Sequence, residues 1–198
     1  ADQIERDIDH RKQHAFPAHP RVQRVHARVI LGIEVRKFVR RPLLARCAEE
    51  GALVVICAAS GVQVGTEQVW KYAEDRGLPR LIFINRLDRE NADFYRTLDD
   101  IRAKFGQRCI PLQVPLGSQP DFTGVLDLLS SQAFGPGGKE LTNPSLPDRA
   151  QALREKMVEA AAETDDALIA KYLEGTELSP EEIRQGLVAG TRRGQIVP

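Results

Sequence analysis

The chain has 198 residues, of which 42% are hydrophobic and 28% are charged, a composition typical of one globular domain or one domain with an insertion. Its 28 basic and 28 acidic residues give a formal net charge of zero, so neither DNA binding nor a membrane surface is indicated. No apolar run approaches the ~20 residues of a membrane span. The three cysteines lack CxxC spacing, so no metal site and no disulfide framework is expected. We expect a soluble protein of the reducing cytoplasm.

Residues 1–50 differ in texture from the rest of the chain. They contain all four histidines within sequence rich in Arg and Pro that has no sustained helical or strand period. Only His10 and His14 have helical i, i+4 spacing, and no apolar pattern supports a helix there, so they do not predict a metal site. Val29–Val39 is a candidate strand and Pro42–Glu49 a candidate helix; solvated or disordered sequence is the alternative.

From Ala52 onward, predicted strands and helices alternate. The run Ala52–Ala58 is short, apolar and β-branched, which predicts a strand buried on both faces. A helix capped by Thr66 follows and ends at Gly77. The residues predicted for its inner face are Val69, Trp70, Tyr72 and Ala73.

Two more strands and one helix continue the alternation. We predict a buried strand at Leu78–Asn85, a helix at Ala92–Phe105 that Gly106 closes, and a third strand at Arg108–Pro115. The apolar positions of this helix, which recur at helical spacing, are Phe94, Leu98, Ile101 and Phe105. Strand, helix, strand, helix, strand predicts an α/β fold with a parallel sheet and flanking helices.

After Gly117 the alternation of strands and helices ends, and a mostly helical region is predicted. Phe134–Pro147 is rich in Gly and Pro and is interpreted as a loop. Asp148–Leu173 is a helical block that the residues Thr164-Asp165-Asp166 divide in two. Ser179-Pro180-Glu181-Glu182 has the pattern of a capping box with Pro at the first helical position, so another helix begins there. The final residues, GQIVP, resemble the opening of a further strand.

The strand Leu78–Asn85 ends abruptly in Asn85-Arg86-Leu87-Asp88. In an open parallel sheet, ligands bind beyond the carboxyl ends of the strands. The two oxygens of the Asp88 carboxylate can accept the N1–H and the exocyclic amine of guanine, whereas adenine presents the wrong pattern. Asn85 can bond purine N7, and the stem and flat guanidinium of Arg86 can lie over the purine face. The alternative is that Asn and Asp serve as turn formers at the strand end.

The surrounding residues carry a family resemblance. The V-x-x-x-T-x-x-x-W pattern at Val62, Thr66 and Trp70, followed by Asn-Arg-Leu-Asp, resembles the GTPase domain of bacterial elongation factor G, in which the motif reads N-K-M-D. The resemblance covers Gly51 to Pro198, through PLQVPLGSQPDFTGVLDLL and EAAAETDDALIAKYLEGTELSPEEI. The second stretch looks like the helical insertion of that family. Arg for Lys and Leu for Met keep the stem over the base and the apolar anchor.

The resemblance implies an incomplete P-loop-GTPase-like parallel sheet in a fragment of a ribosomal translocation GTPase. It divides the chain into an atypical segment 1–50, a partial GTPase core 51–117 and a largely helical insertion 118–198 that ends before the last GTPase strand. It implies GTP or GDP with Mg²⁺ as the ligand and the ribosome as the partner. Asn85, Arg86 and Asp88 would contact the guanine base, and no catalytic residue is implied.

Phosphate binding requires a G-x-x-x-x-G-K-[ST] loop, which the sequence lacks. The nearest candidate, Gly135–Glu140, has no Ser or Thr after Lys139 and no preceding strand, and is interpreted as a loop. The D-x-P-G-H motif of the family is absent before Gly51. A reading-frame change upstream of about Leu43 would account for the unmatched residues 1–50. The chain alone is therefore expected not to hydrolyse GTP and to bind nucleotide weakly or not at all.

Two alternatives remain at this point. The chain could be a non-catalytic pseudo-GTPase or ribosome-interaction module that keeps the fold without the chemistry. It could also be a plain doubly wound domain that binds another nucleotide, although no G-x-G-x-x-G motif is present.

Overall fold

The structure is a computed structural model that describes residues 51–142 and 147–198. The first half of this region alternates strands and helices: β1 (Ala52–Cys57), α1 (Val64–Asp75), β2 (Arg80–Asn85) and α2 (Phe94–Phe105). The strand and helix predicted before Gly51, the four histidines and Cys47 lie outside the described residues. None of the described helices combines the length and the apolar character that crossing a bilayer requires.

The second half contains an antiparallel sheet followed by three helices. Its elements are β3 (Gln113–Leu116), β4 (Gly124–Asp127), β5 (Ala133–Phe134), β6 (Glu140–Leu141), α3 (Ala150–Ala162), α4 (Asp166–Leu173) and α5 (Pro180–Arg192). Short 3₁₀ turns occupy Gln119–Asp121 and Pro136–Gly138. The predicted division at residue 117 therefore falls between β3 and β4, which are paired strands of one sheet.

The predicted parallel sheet is present. β1 and β2 pair in parallel over their whole lengths, from Ala52 opposite Arg80 to Cys57 opposite Asn85. Residues 196–198 extend the sheet beyond β2, because the Ile82 N–H donates to the Pro198 carbonyl at 2.7 Å. On their other side, Val197 pairs in parallel with Cys109. The strand expected at GQIVP thus lies between β2 and residues 108–110.

The predicted third strand is wrong as a single element. Residues 108–110 join the parallel sheet, whereas β3 belongs to the antiparallel sheet in the order β3-β4-β5-β6. The break falls at Pro111, which has no N–H to donate to a ladder. Pro115 is tolerated within β3 because β3 is an edge strand of its sheet.

Two predictions of burial also need correction. Val55, in the middle of β1, is 54% exposed, so β1 is not buried on both faces. In α1, Trp70 and Ala73 are buried, but Val69 and Tyr72 are exposed. The residue before α1 is Gln63, whose N–H donates to Thr66 Oγ1 at 3.3 Å, so Thr66 supports the cap from inside the helix.

The helix predicted from the spacing of Phe94, Leu98, Ile101 and Phe105 is confirmed, since all four are buried in α2. Asp93 caps it by accepting the Arg96 N–H at 3.0 Å. Gly106, at φ +96°, ends it in a conformation that favours glycine. The buried side chains of α2 pack both on the parallel sheet and in the core of the antiparallel half.

The region interpreted as a loop after residue 133 contains a hairpin. Phe134 of β5 lies opposite Glu140 of β6, and the Gly135 N–H donates to the Lys139 carbonyl at 2.8 Å. The Gly-rich residues therefore form the turn of a sheet, not a phosphate-binding loop before a helix. Residues 143–146 of the predicted loop lie outside the described residues.

The three helices of the second half begin and end close to the predicted positions. Asp165 caps α4 after the predicted break, and Ser179 caps α5 with Pro180 in its first turn. α3 and α5 can pack closely because Gly186 has no side chain. A Cβ there would clash with the Ala161 carbonyl. Their contact buries Met157 and Leu187 completely.

The Glu182 carboxylate, in the capping box of α5, is expected to make the free energy of unfolding fall at acid pH. Hydrogen bonds from Lys171 and then from Ser179 lower the pKa of Glu182 from its ordinary 4.5 to about 2. A group whose pKa is depressed on folding stabilises the fold above its unfolded pKa, and that contribution disappears as the pH falls through the folded pKa. Between pH 4.5 and 2, Glu182→Gln should therefore lose less of its free energy of unfolding than the wild type does, as measured by urea unfolding. Parallel pH profiles for the two proteins would contradict this.

Candidate functional site

The predicted site residues lie where β2 ends. Asn85 is the last residue of β2 and is exposed, as are Arg86 and Asp88. Leu87, between them, is partly buried and packs against the larger hydrophobic core. The loop thus presents its polar side chains to solvent while its apolar side chain anchors it. This pattern of exposure is the one expected from the sequence.

Local hydrogen bonds fix the start of this loop. Arg86 has φ +63°, a left-handed conformation that is uncommon for a residue with a side chain. Its N–H donates to the Oδ1 atom of Asn85 at 2.8 Å. Because Oδ1 already accepts this bond, the side-chain NH₂ of Asn85 can donate to an acceptor such as purine N7 or O6. The Arg89 N–H then donates to the Arg86 carbonyl at 3.2 Å, which continues the turn.

The end of β1 holds both ends of the loop. The Ala58 N–H donates to the Asn85 carbonyl at 2.9 Å, and the Asp93 N–H donates to the Ala58 carbonyl at 3.3 Å. Thr97 Oγ1 lies 3.0 Å from the same carbonyl. Arg96 adds a tie on the outside, because its Nη2 donates to the Asn91 carbonyl at 3.0 Å and to the Ala59 carbonyl at 3.5 Å.

The loop that follows β1 is held by α2 as well. The Val62 N–H donates to Asp100 Oδ2 at 2.7 Å. Gly61 has φ +64°, and a Cβ there would lie 2.7 Å from the same oxygen, so any side chain at this position would strain the backbone and displace Asp100. Side chains of α2 and the residue that caps it therefore organise the loops at the carboxyl ends of both β1 and β2.

The thiol pKa values of Cys57 and Cys109, which lie in the parallel sheet, are shifted in opposite directions. Burial raises the pKa of the Cys57 thiol, but hydrogen bonds from Ala59 and Ser60 and the charge of Arg86 outweigh it, so the pKa lies below its ordinary value. Cys109 is buried, and burial raises the pKa of its thiol to about 11. Only the thiolate is nucleophilic, so Cys57 is the reactive member of this pair.

We therefore expect iodoacetamide at neutral pH to label Cys57 well before Cys109 in the folded chain. Peptide mass spectrometry over a time course will give both rates in one experiment. Unfolding in urea serves as the control, since both thiols should then react at similar rates. Equal labelling in the folded state would contradict the assigned environments.

Sequence reasoning found the exposed residues of the corner and missed the residues that hold it. Asp93 carried a recognisable signal, as a polar residue immediately before an apolar helical pattern. Ala58 and Thr97 carried none, because their contact joins residues 39 apart in the chain.

Among residues 51–142 and 147–198, no three His, Cys, Asp or Glu side chains are grouped so that they could hold a metal ion.

The parallel sheet with its flanking helices is an α/β fold consistent with a GTPase domain, and comparison with known proteins shows the family. The chain matches the family model described as the elongation factor Tu GTP-binding domain over residues 36–188. A crystal structure of a protein from Thermus thermophilus is 35% identical, superposes with a TM-score of 0.68, and is matched over 76% of this chain and 23% of that protein. The chain thus spans less than a quarter of that protein.

The chain belongs to the family of elongation factor Tu GTP-binding domains. It is a translational GTPase-like domain, and binding of GTP and GDP is the property that defines this family. The match begins at residue 36, so it includes residues 36–50, which the resemblance noted in the sequence did not cover.

Proposed function

We propose that the chain is part of a ribosomal translocation GTPase of the elongation factor G type, and that Asn85, Arg86 and Asp88 are its guanine-recognition residues. In this proposal the domain works in the cytoplasm, the ribosome is its partner, and GTP or GDP with Mg²⁺ is the ligand of the whole protein. The family membership of the chain supports the nucleotide class. The resemblance in the motif and in the helical region supports the particular factor.

One observation carries the proposal for the site. The loop after β2 exposes Asn85, Arg86 and Asp88 at the carboxyl end of a parallel strand while Leu87 anchors it in the core. Within residues 51–142 and 147–198, the side-chain NH₂ of Asn85 makes no hydrogen bond, and Asp88 is a carboxylate with two acceptor oxygens. Guanine offers the complementary acceptors, N7 and O6, and the complementary donors, N1–H and the exocyclic amine.

Phosphate binding is where this chain departs from a complete GTPase. The Gly-rich sequence that cradles phosphates is absent, and the nearest candidate forms the β5–β6 turn. About three hydrogen bonds to a base, each worth about 1–2 kcal/mol and offset by the cost of immobilising the ligand, predict at best roughly millimolar binding. Phosphate and Mg²⁺ contacts perform the chemistry of phosphoryl transfer. We therefore propose that the chain by itself does not hydrolyse GTP.

A titration with fluorescent GDP and Mg²⁺, with excess ADP as competitor, tests the proposal. We expect weak binding that ADP does not displace and no release of phosphate from GTP. Micromolar, guanine-specific binding would mean that a phosphate site exists outside the described residues and that the weak-binding proposal is wrong. Binding without any preference for guanine would remove the assigned role of Asn85 and Asp88 and favour a pseudo-GTPase or interaction module.

A further inference from the structure

The backbone of one residue, Ala58, is hydrogen-bonded to both ends of the loop after β2. Asn85 precedes this loop, residues 86–92, and Asp93 follows it. The Ala58 N–H is bonded to the Asn85 carbonyl, and the Ala58 carbonyl receives the Asp93 N–H. Ala58 itself is completely buried. The separation between the two ends of the loop therefore depends on the bonds that Ala58 makes.

The bond that closes the far end of the loop is long, and a side chain reinforces it. The Asp93 N–H lies 3.3 Å from the Ala58 carbonyl oxygen, near the limit for a hydrogen bond. Thr97 Oγ1 reaches the same oxygen at 3.0 Å from the first turn of α2. Thr97 is 1% exposed, so no bulk water replaces its hydroxyl at this position.

The hydroxyl of Thr97 has two acceptors within reach. It lies 2.7 Å from the Asp93 carbonyl, four residues earlier in the chain, which is the usual partner of a helical threonine. That carbonyl already accepts the Thr97 N–H at 3.1 Å. Among the residues that the structure describes, only Asp93 also bonds the Ala58 carbonyl, and that bond is long, so loss of the hydroxyl affects Ala58 more.

We propose that Thr97 is a positioning residue that fixes residues 86–92 by joining the start of α2 to Ala58. This inference rests on the proposed function for its consequence, because Asn85 precedes the first turn of this loop, Asp88 lies within that turn, and both must reach the same base. A loop whose ends can separate presents the two side chains at varying distances. The guanine preference then falls while general affinity for a purine nucleotide is retained.

Hydrogen–deuterium exchange measured by mass spectrometry tests the positioning itself and does not depend on nucleotide binding. Thr97→Val keeps the shape of the side chain and removes the hydroxyl. We expect exchange in the peptide that covers residues 86–93 to rise by about fivefold, the effect of losing one hydrogen bond of typical net strength. Exchange in peptides from α3 and α5 should stay unchanged. Unaltered exchange at residues 86–93 would overturn the proposal.

Two further variants make this result specific. Thr191, in α5, is also 1% exposed, and its hydroxyl donates to the Leu187 carbonyl at 2.7 Å, so Thr191→Val is the same chemical change in a different helix. It should leave exchange at residues 86–93 unchanged. Thr97→Ser keeps the hydroxyl and should behave like the wild type even if Thr97→Val fails to fold. Raised exchange at residues 86–93 in Thr97→Ser would also overturn the proposal.

Ligand-detected NMR at millimolar nucleotide then tests the consequence for recognition. GDP and IDP differ only in the exocyclic amine, so the ratio of their affinities reports the contact of Asp88. We expect Thr97→Val to reduce this ratio and Thr97→Ser to preserve it. An equal loss for both nucleotides would mean that Thr97 has no role in selectivity. Absence of any GDP preference in the wild type would count against the proposed function alone, and the exchange result would still decide the positioning role.

Discussion

Replacing Trp70 with alanine is expected to lower the free energy of unfolding by about 3–5 kcal/mol, the usual cost of removing a large aromatic side chain from a core. Trp70 is 4% exposed and stacks on Phe105 with 4.0 Å between ring centroids. The guanidinium carbon of Arg80 lies 4.6 Å from the centre of the Trp70 ring. The substitution therefore leaves a cavity and removes the aromatic face beside a buried cation.

A urea titration of the wild type and Trp70→Ala, followed by far-ultraviolet circular dichroism, measures this loss. Tyr72→Ala is the matched control because it removes an aromatic residue from the same helix. Tyr72 is 38% exposed, and Arg76 stacks on its ring. We expect this control to cost less than about 1 kcal/mol, the value of an exposed cation–π pair. Equal losses for the two variants would show that Trp70 does not occupy the core.

Asp88→Asn is expected to move the preference of the corner from guanine towards xanthine. Guanine presents two donors to the carboxylate, whereas xanthine presents one donor and one acceptor, which an amide matches. Losing one hydrogen bond to a charged group costs about 1.5–3 kcal/mol, so the GDP-to-XDP affinity ratio should fall by about 10- to 100-fold. Competition between the two nucleotides in ligand-detected NMR measures this ratio directly.

The control for this experiment is Asp93→Asn. It makes the same change of charge a short distance along the chain, also on an exposed side chain, and asparagine caps a helix about as well as aspartate does. The GDP-to-XDP ratio should stay at the wild-type value in Asp93→Asn. If both variants shift the ratio equally, the effect is one of general charge, and Asp88 does not read the base.

Features that depend on neighbouring residues in the chain could be predicted from the sequence. α2 follows from the helical spacing of Phe94, Leu98, Ile101 and Phe105, and the start of α5 follows from the Ser179–Glu182 capping box. The exposed corner at Asn85–Asp88 was predictable for the same reason, because an apolar strand ends there in polar residues. Helix periods and caps are local patterns, so a single sequence contains them in full.

Features that depend on distant partners could not be predicted in this way. The exposure of Val55 depends on what packs against β1, and the two-residue strands β5 and β6 are defined only by their pairing. The Thr97 hydroxyl is an ordinary helical threonine in the sequence, and its role comes from a carbonyl 39 residues away. The division of the third predicted strand had a visible cause in Pro111, although its two halves find their sheets only through contacts made elsewhere.

The position of residues 196–198 inside the parallel sheet determines the order in which this region can fold. Arg108, at the neighbouring edge, donates to the Gly194 carbonyl across a separation of 86 residues. β1 and β2, or the β3–β4 hairpin, can pair as soon as they are synthesised, but residues 108–110 have no neighbour in the sheet until residues 196–198 arrive. Contacts of such long range form slowly, because the intervening chain must first be brought together. We therefore expect that, during synthesis, the antiparallel sheet and the three helices form before residues 196–198 join the parallel sheet.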